Sequence, residues 1–308
     1  MGKVIRDISS KHLNPFKEEP EEKVIQERVI DQNALAFVKQ LASDLQQGEF
    51  DLPPFPDTAL RVQECIKDPA ADNRSLAAVI ATEPALAARL MRMANSALMR
   101  RGPMEVTDIP TAISRVGMTM VQNAAMSFAA REAFKAPPGS ACVSELNSLR
   151  QTSVKVAAIA YVLAKETRSL RKPDEAMLAG LLSSVGKFYI YTKAADHVEL
   201  FADRRALDRL IAQWHTGVAR AIVESWQFPD TVAQAVDEQE VKEKNRIDGA
   251  DLSDVLLIAN IIARAGVKAA EHLGDLDSLA RLRMDADTLR ATLETGEDDI
   301  QSMVSAMS

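Results

Sequence analysis

Histidines, the residues most typical of metal and acid–base sites near neutral pH, are rare in this sequence. Only four of the 308 residues are histidines, and His215 lies on an apolar helical stripe with Leu207 and Ile211. An imidazole and nearby carboxylates, such as those of Asp237 and Glu238, are ligand types for a divalent ion. A histidine on an apolar stripe is more typical of packing or hydrogen bonding than of metal ligation. The pattern leaves both roles of His215 open.

Other charged side chains also allow two interpretations. Asp237, Glu238 and Glu240 form an acidic group that could bind a cation weakly, although such a charge run is usually a solvated helix face. Lys187 follows Gly186 and could contact a phosphate or a carboxylate, or it could bind the last carbonyls of a helix. Lys187 and His215 are therefore the candidates for ligand binding.

The serine pair Ser183 and Ser184 could suggest a nucleophile, but no histidine and acid are placed by sequence to activate either hydroxyl. The chain has no glycine-rich phosphate loop, no GxSxG, no HExxH and no CxxC pair. Cys65 and Cys142 are far apart and indicate reduced, structural thiols. Motifs alone leave the function unassigned.

Composition excludes some classes of protein. The apolar share of 47% and charged share of 26% are those of a globular chain. The net charge of -7 argues against nucleic-acid binding, which requires a basic footprint. The N-terminus lacks an apolar core of signal-peptide length, and charged and polar residues interrupt the most apolar stretch, 255–270. We therefore expect no membrane segment and a cytoplasmic location.

Hydrophobic periodicity predicts an all-α fold. Stripes at three- and four-residue steps predict helices at about 142–166, 173–184, 199–226, 229–240 and 250–265, and no alternating pattern is long enough for a sheet. Asn73 or Ser75 is expected to cap a helix, and Asp108 precedes another that stops at Gly117. A further amphipathic stripe contains Ile30, Ala34, Phe37, Leu41 and Leu45.

Composition and the positions of helix-breaking prolines and glycines divide the chain into four parts. A flexible polar extension is expected over 1–22, and helical subdomains over 23–137 and 138–272, with prolines and a glycine at 136–140 marking the boundary. Residues 273–308 are expected to form an acidic tail that is helical or flexible. Whether the helix around 30–45 contacts its own chain or a second copy stays open.

Three ordered blocks of the first half resemble HDOD domains, which are output modules related to HD-type phosphohydrolases. The blocks, within 52–134, read LPPFPDTALRV, then VIATEPALAARLMRMANSA, then IPTAISRVGMTMVQNAAMSFAAREAF. The resemblance implies an HDOD-like bundle of two packed helical subdomains, of which the second is HD-domain-like.

The second half resembles the HD-like part of the same family, but with altered ligand positions. The stretch DEAMLAGLLSSVGKFYI corresponds to a GLLHDIGK-type motif, so Ser183 and Ser184 replace its histidine and aspartate. In WHTGVARAIVESWQFPDTVAQAVDEQE, His215 is retained, and Asp237 and Glu238 stand where many relatives have paired histidines. Asn260 falls about where an HD enzyme has its last aspartate.

The resemblance implies a regulatory protein without catalysis, because serine hydroxyls at neutral pH are poor metal ligands. We expect no metal and no other cofactor, a bacterial signalling role, and other signalling proteins as partners. A homodimer is a further option. One alternative is a sensor that binds a nucleotide near Lys187 and His215. Another is a residual phosphohydrolase with a shifted ligand set, His215 with Asp237 or Glu238.

Overall fold

The computed structural model describes residues 57–97, 99, 104–135, 139–167, 170, 172–243 and 249–307, together with Phe37, Lys39 and Ser43. This part of the chain contains helices and no strands, so the all-α prediction is confirmed. The predicted extension over 1–22 and the boundary prolines at 137 and 138 lie outside the described residues. In the predicted N-terminal stripe, Phe37 is helical and buried, whereas Ile30, Ala34, Leu41 and Leu45 lie outside them.

The two longest helices, of 24 and 22 residues, lie in the second half of the chain. In chain order the helices are α1 (Asp57–Lys67), α2 (Asn73–Ala81), α3 (Pro84–Asn95), α4 (Ile109–Val116), α5 (Met118–Ala133), α6 (Val143–Glu166), α7 (Pro173–Leu182), α8 (Val185–Ala194), α9 (Val198–Ala202), α10 (Arg204–Ser225), α11 (Asp230–Asp237), α12 (Leu252–Ala265), a 3₁₀-helix (Val267–His272), α13 (Asp277–Leu282), α14 (Ala286–Thr295) and α15 (Glu297–Met307).

Short polar residues set several helix starts. The Asp108 carboxylate accepts a hydrogen bond from the Thr111 amide at 2.8 Å, and α4 stops before Gly117 as predicted. The cap of α2 is Asp72, which accepts from the amides of the second and third helical residues, so the predicted caps Asn73 and Ser75 are wrong by one and three positions. Asp203 likewise starts α10 and divides the helix predicted over 199–226.

Two buried clusters hold the helices together. The smaller cluster contains residues from all five helices α1–α5, such as Leu76, Ile80 and Leu90. The larger cluster is formed mainly by α6, α7, α10 and α12. Helix α5 belongs to both, because Val121 and Phe128 lie in the smaller cluster whereas its Met120 and Met126 lie in the larger. The sequence boundary at 137/138 therefore does not separate two independent cores.

The C-terminal residues are not a tail. Helix α15 buries Ile300, Met303, Ala306 and Met307 in the larger cluster. Ser302 Oγ accepts a hydrogen bond from the Ala97 amide at 2.8 Å, which connects α15 to the chain after α3. The flexible alternative predicted for 273–308 is thus wrong over the described helices, since their apolar faces are removed from water.

Phe37 is the residue of the predicted N-terminal stripe that the structure describes. Its ring meets that of His197 edge to face, with centroids 5.4 Å apart. This residue therefore contacts the second half of its own chain. No helix in the described part of the chain combines the length and apolarity needed to cross a bilayer.

Candidate functional site

The turn between α7 and α8 carries the two serines singled out by the sequence. Ser183 ends α7, Ser184 precedes α8, and both are buried. Residues 176–182 are buried throughout, so the turn lies at the end of a helix that is surrounded by protein. Neither serine caps α8 through its side chain. The turn is therefore an internal feature of the core.

Gly186 allows α8 to lie directly against α10. A Cβ atom at this position would stand 2.0 Å from the carbonyl oxygen of His215 and 2.8 Å from the amide nitrogen of Ala219. Both neighbours are helix backbone, which cannot rotate away. The absence of a side chain at 186 thus lets α8 and α10 approach closely, with Lys187 on one helix and His215 on the other.

The side chain of Glu240 connects these two helices. Its Oε1 atom lies 3.6 Å from Nζ of Lys187, 3.1 Å from Nε2 of His215 and 3.2 Å from Nη2 of Arg264. His215 is 1% exposed and Glu240 37%, so the carboxylate reaches from the surface onto a buried ring. We call these four residues the Glu240 cluster.

Electrostatics keep Glu240 ionised. The His215 contact first, and then the charges of Lys187 and Arg264, lower the pKa of Glu240 to about 2, although burial acts in the opposite direction. Burial is the main cause that lowers the pKa of His215 and of Lys187 from their usual values. Burial thus favours the neutral form of His215, while Glu240 is held ionised beside the side chains of Lys187 and Arg264.

Three buried polar atoms of this site lack a hydrogen-bond partner among the described residues: Nδ1 and Nε2 of His215, and Oγ of Ser183. The contact between Nε2 of His215 and Glu240 is short but not aligned as a hydrogen bond. Such atoms cost free energy in a core. Their presence lowers the stability of the fold, which is typical of residues retained at functional sites.

A buried amide joins the serine turn to the rest of the site. Gln239 Nε2 donates to the carbonyls of Ser183 at 2.9 Å and Val236 at 2.7 Å. Its Oε1 accepts from Nδ2 of Asn260 at 3.0 Å, and both amides are buried. This network connects the α7–α8 turn, the end of α11 and the middle of α12 with neutral groups only.

The structure brings together most, but not all, of the predicted site residues. Asp237 and Glu238 do not join the site: Asp237 accepts from Nη1 of Arg220 at 3.1 Å, and Glu238 accepts from Nε2 of Gln234 at 3.0 Å. Both carboxylates therefore have hydrogen-bond partners outside the Glu240 cluster, and their correspondence to the paired histidines of relatives stays a prediction. The next two residues, Gln239 and Glu240, point inward instead. The shifted set of His215 with Asp237 or Glu238 stays a prediction.

Sequence reasoning overlooked Gln239 and Arg264 and treated Glu240 as part of a solvated face. One available signal was spacing, since Arg264 lies four residues after Asn260 and so shares its side of α12. No comparable signal existed for Gln239, because α11 ends at Asp237 and helical periodicity stops there. Its inward direction depends on the turn that follows.

The donor set does not fit a divalent ion. No group of three or more histidine, cysteine, aspartate or glutamate side chains within the described ranges could hold a metal. Glu240 and His215 are ligand types, but Lys187 and Arg264 contact the same carboxylate oxygen and would repel a cation. Lys187 and Arg264 can hold the Glu240 carboxylate or bind another anion in its place, and the arrangement does not support a metal-dependent reaction.

Comparisons with known proteins agree with this fold. A "Putative metal-dependent phosphohydrolase" from Shewanella amazonensis superposes with a TM-score of 0.73 at 24% identity, covering 90% of this chain and all of the other. An HDOD domain protein of unknown function from Geobacter sulfurreducens gives 0.64 at 19% identity, covering 90% of this chain and 99% of the other. A "Putative signal transduction protein" from Marinobacter aquaeolei gives 0.59 at 22% identity, covering 89% and 66% respectively.

Sequence comparison points the same way. An uncharacterised protein from Treponema pallidum is 24% identical over 207 residues, which are 64% of this chain but only 39% of that protein. The HDOD domain family matches residues 52–241, more than half of the chain. The resemblance seen in the sequence blocks is thereby confirmed, and the chain belongs to the HDOD domain family.

Proposed function

We propose that this chain is a non-catalytic regulatory protein of bacterial signal transduction, which acts by binding other signalling proteins through its helical surface. The observation that carries this proposal is the Glu240 cluster, in which Lys187 and Arg264 take up the carboxylate that could otherwise have served a metal. The signal-transduction name of the Marinobacter relative supports the signalling role. A cytoplasmic location fits this role.

The chemistry of phosphoester hydrolysis supports the same conclusion. A bound ion must be held by imidazoles and carboxylates, activate a water and offset phosphate charge. At the α7–α8 turn the side chains are hydroxyls, Ser183 and Ser184, and the groups linking the turn to α12 are the amides of Gln239 and Asn260. None of these four side chains carries a charge. The turn and this network therefore contribute no imidazole or carboxylate, which supports the proposal.

Hydrolysis assays test the absence of catalysis. We expect purified protein to cleave bis(p-nitrophenyl) phosphate no faster than a His215→Ala variant when Mg²⁺, Mn²⁺ or Zn²⁺ is added. Protein purified without added metal should contain metal well below one equivalent by elemental analysis. Metal-dependent turnover above the His215→Ala control, or a full equivalent of metal, would contradict the proposal.

Capture experiments test the interaction role. Immobilised protein is incubated with lysate of the source bacterium, captured proteins are identified, and each is purified and titrated against this chain. We expect at least one purified protein to bind saturably. If no captured protein binds in the purified system, the interaction part of the proposal is wrong.

A second candidate function is a nucleotide sensor, favoured by one observation. Lys187, His215 and Arg264 converge on a single oxyanion, and a nucleotide phosphate could replace the Glu240 carboxylate there. Glu240→Gln removes the competing charge, so this variant should bind a nucleotide more tightly than the wild type in equilibrium dialysis. Flat titrations of both proteins with a nucleotide panel would eliminate the sensor.

A further inference from the structure

A second site lies between the two halves of the chain. A half-open cavity of about 370 Å³ is lined by residues of α3 and α5 from the first half and of α6, α7, α8 and α15 from the second, the last of these contributing Met307. Its volume is within the range of small-molecule sites, about 300–1,000 Å³. No residue of the Glu240 cluster lines it, so the two sites are separate.

The cavity wall has a cationic side and an apolar side. Arg89, only 3% exposed, and Arg150 contribute guanidinium groups. Asn147 and Gln151 add amides, and the remaining wall includes Val154, Leu181, Phe188 and Met307. No aspartate or glutamate is among the described residues that line the cavity. Pockets of this type bind an apolar ligand body and orient it through a few polar groups.

Arg150 is held in a fixed orientation at this wall. Its Nη1 donates to Oδ1 of Asn147 at 2.9 Å, and its Nη2 donates to the carbonyl of Phe134 at 3.0 Å. The guanidinium carbon also lies 5.8 Å from the centroid of the Phe188 ring. A positioned guanidinium loses little conformational entropy when an oxyanion binds to it.

We propose that this cavity binds a small organic anion, with a carboxylate or phosphonate-type head near Arg150 and an apolar body against Phe188 and Leu181. Because Arg89 of α3 and Ser127 of α5 also line the cavity, a ligand that fills it would contact helices from both halves. Binding would therefore stabilise the contact between the halves. This inference does not depend on the regulatory role proposed above.

Three probes of similar size test the ligand chemistry. Benzoate, phenylphosphonate and the neutral benzamide are titrated against the full chain by calorimetry, and thermal unfolding is recorded with each. We expect saturable binding and a higher melting temperature with at least one anion, and a clearly smaller effect with benzamide. The better anion identifies the head group. Absence of binding by both anions, or equal binding of benzamide, overturns the proposal.

Variants test the location. Gln151 is exposed on α6 and lines the cavity, so Gln151→Glu should weaken the better anion about two- to fivefold and Gln151→Lys should strengthen it, as an exposed charge does. The matched control is Gln213→Glu, an exposed glutamine of α10 that does not line the cavity. Arg150→Gln should weaken binding at least about tenfold. If that variant does not fold, the Gln151 pair still decides, and equal affinities of both Gln151 variants overturn the proposal.

Discussion

The close approach of α8 to α10 predicts a large effect of a single methyl group. In Gly186→Ala the new Cβ would lie 2.0 Å from the His215 carbonyl oxygen, whereas ordinary contacts begin at 3.4 Å, so the helices must separate by about 1.4 Å. Overpacking of a core commonly costs about 1–3 kcal/mol. Because backbone atoms are involved on α10, we expect a destabilisation near the upper end, about 3 kcal/mol.

Gly217 provides a matched control on the same helix. It lies within α10, is exposed, and has no atom within 4 Å of an added Cβ. Gly217→Ala should therefore stabilise the protein by about 0.5–1 kcal/mol, the usual advantage of alanine in a helix interior. The two substitutions are chemically identical, so their opposite signs would result from packing alone.

Urea unfolding followed by far-UV circular dichroism measures both effects as shifts of the transition midpoint at constant slope. Gly186→Ala should unfold at lower urea concentration than the wild type, and Gly217→Ala at higher. The reasoning is refuted if Gly186→Ala is as stable as the wild type. It is also refuted if both variants shift in the same direction, because the α8–α10 contact would then not limit the space at residue 186.

Two further predictions concern charges. The free energy of unfolding of the wild type minus that of Glu240→Gln should decrease as pH falls from about 5 toward 2, because the folded state binds the ionised form of Glu240 and lowers its pKa. A difference that stays constant over this range in urea titrations would contradict this. Asp254 is 1% exposed, and its Oδ1 lies 2.6 Å from Nη2 of Arg281. Asp254→Ala should therefore lower the free energy of unfolding by about 3–5 kcal/mol, because it leaves the Arg281 charge without its buried partner. As a control, Asp287→Ala at the exposed pair with Arg290 should leave the urea midpoint unchanged.

Local sequence patterns were sufficient to predict the positions of most helices. Apolar residues at three- and four-residue steps predicted most of them, and Asp108 and Gly117 marked both ends of α4. Helix boundaries were predicted wrongly where the sequence has no proline or glycine to mark them. The interruption at Asp203 was missed because the apolar stripe continues past it, and Asp72 was missed as a cap because Asn73 and Ser75 have similar chemistry.

The site was partly visible in the sequence because a motif fixes relative positions along one helix. Ser183, Ser184 and Lys187 belong to one turn, and the family blocks located His215 and Asn260. Beyond the end of α11, however, a difference of two residues decides which side chains point inward. The sequence analysis therefore named Glu240 only as one of an acidic group with Asp237 and Glu238, and it missed Gln239.

The sequence by itself determined that the chain is helical, that its blocks are those of an HDOD domain, and that serines stand at the central motif positions, since all three follow from residue types at short spacings. Only the tertiary structure decided that Glu240 joins Lys187, His215 and Arg264, and that Arg89 and Arg150 share a cavity. These residues are distant along the chain. Their meeting depends on how whole helices pack, including the close contact that Gly186 permits.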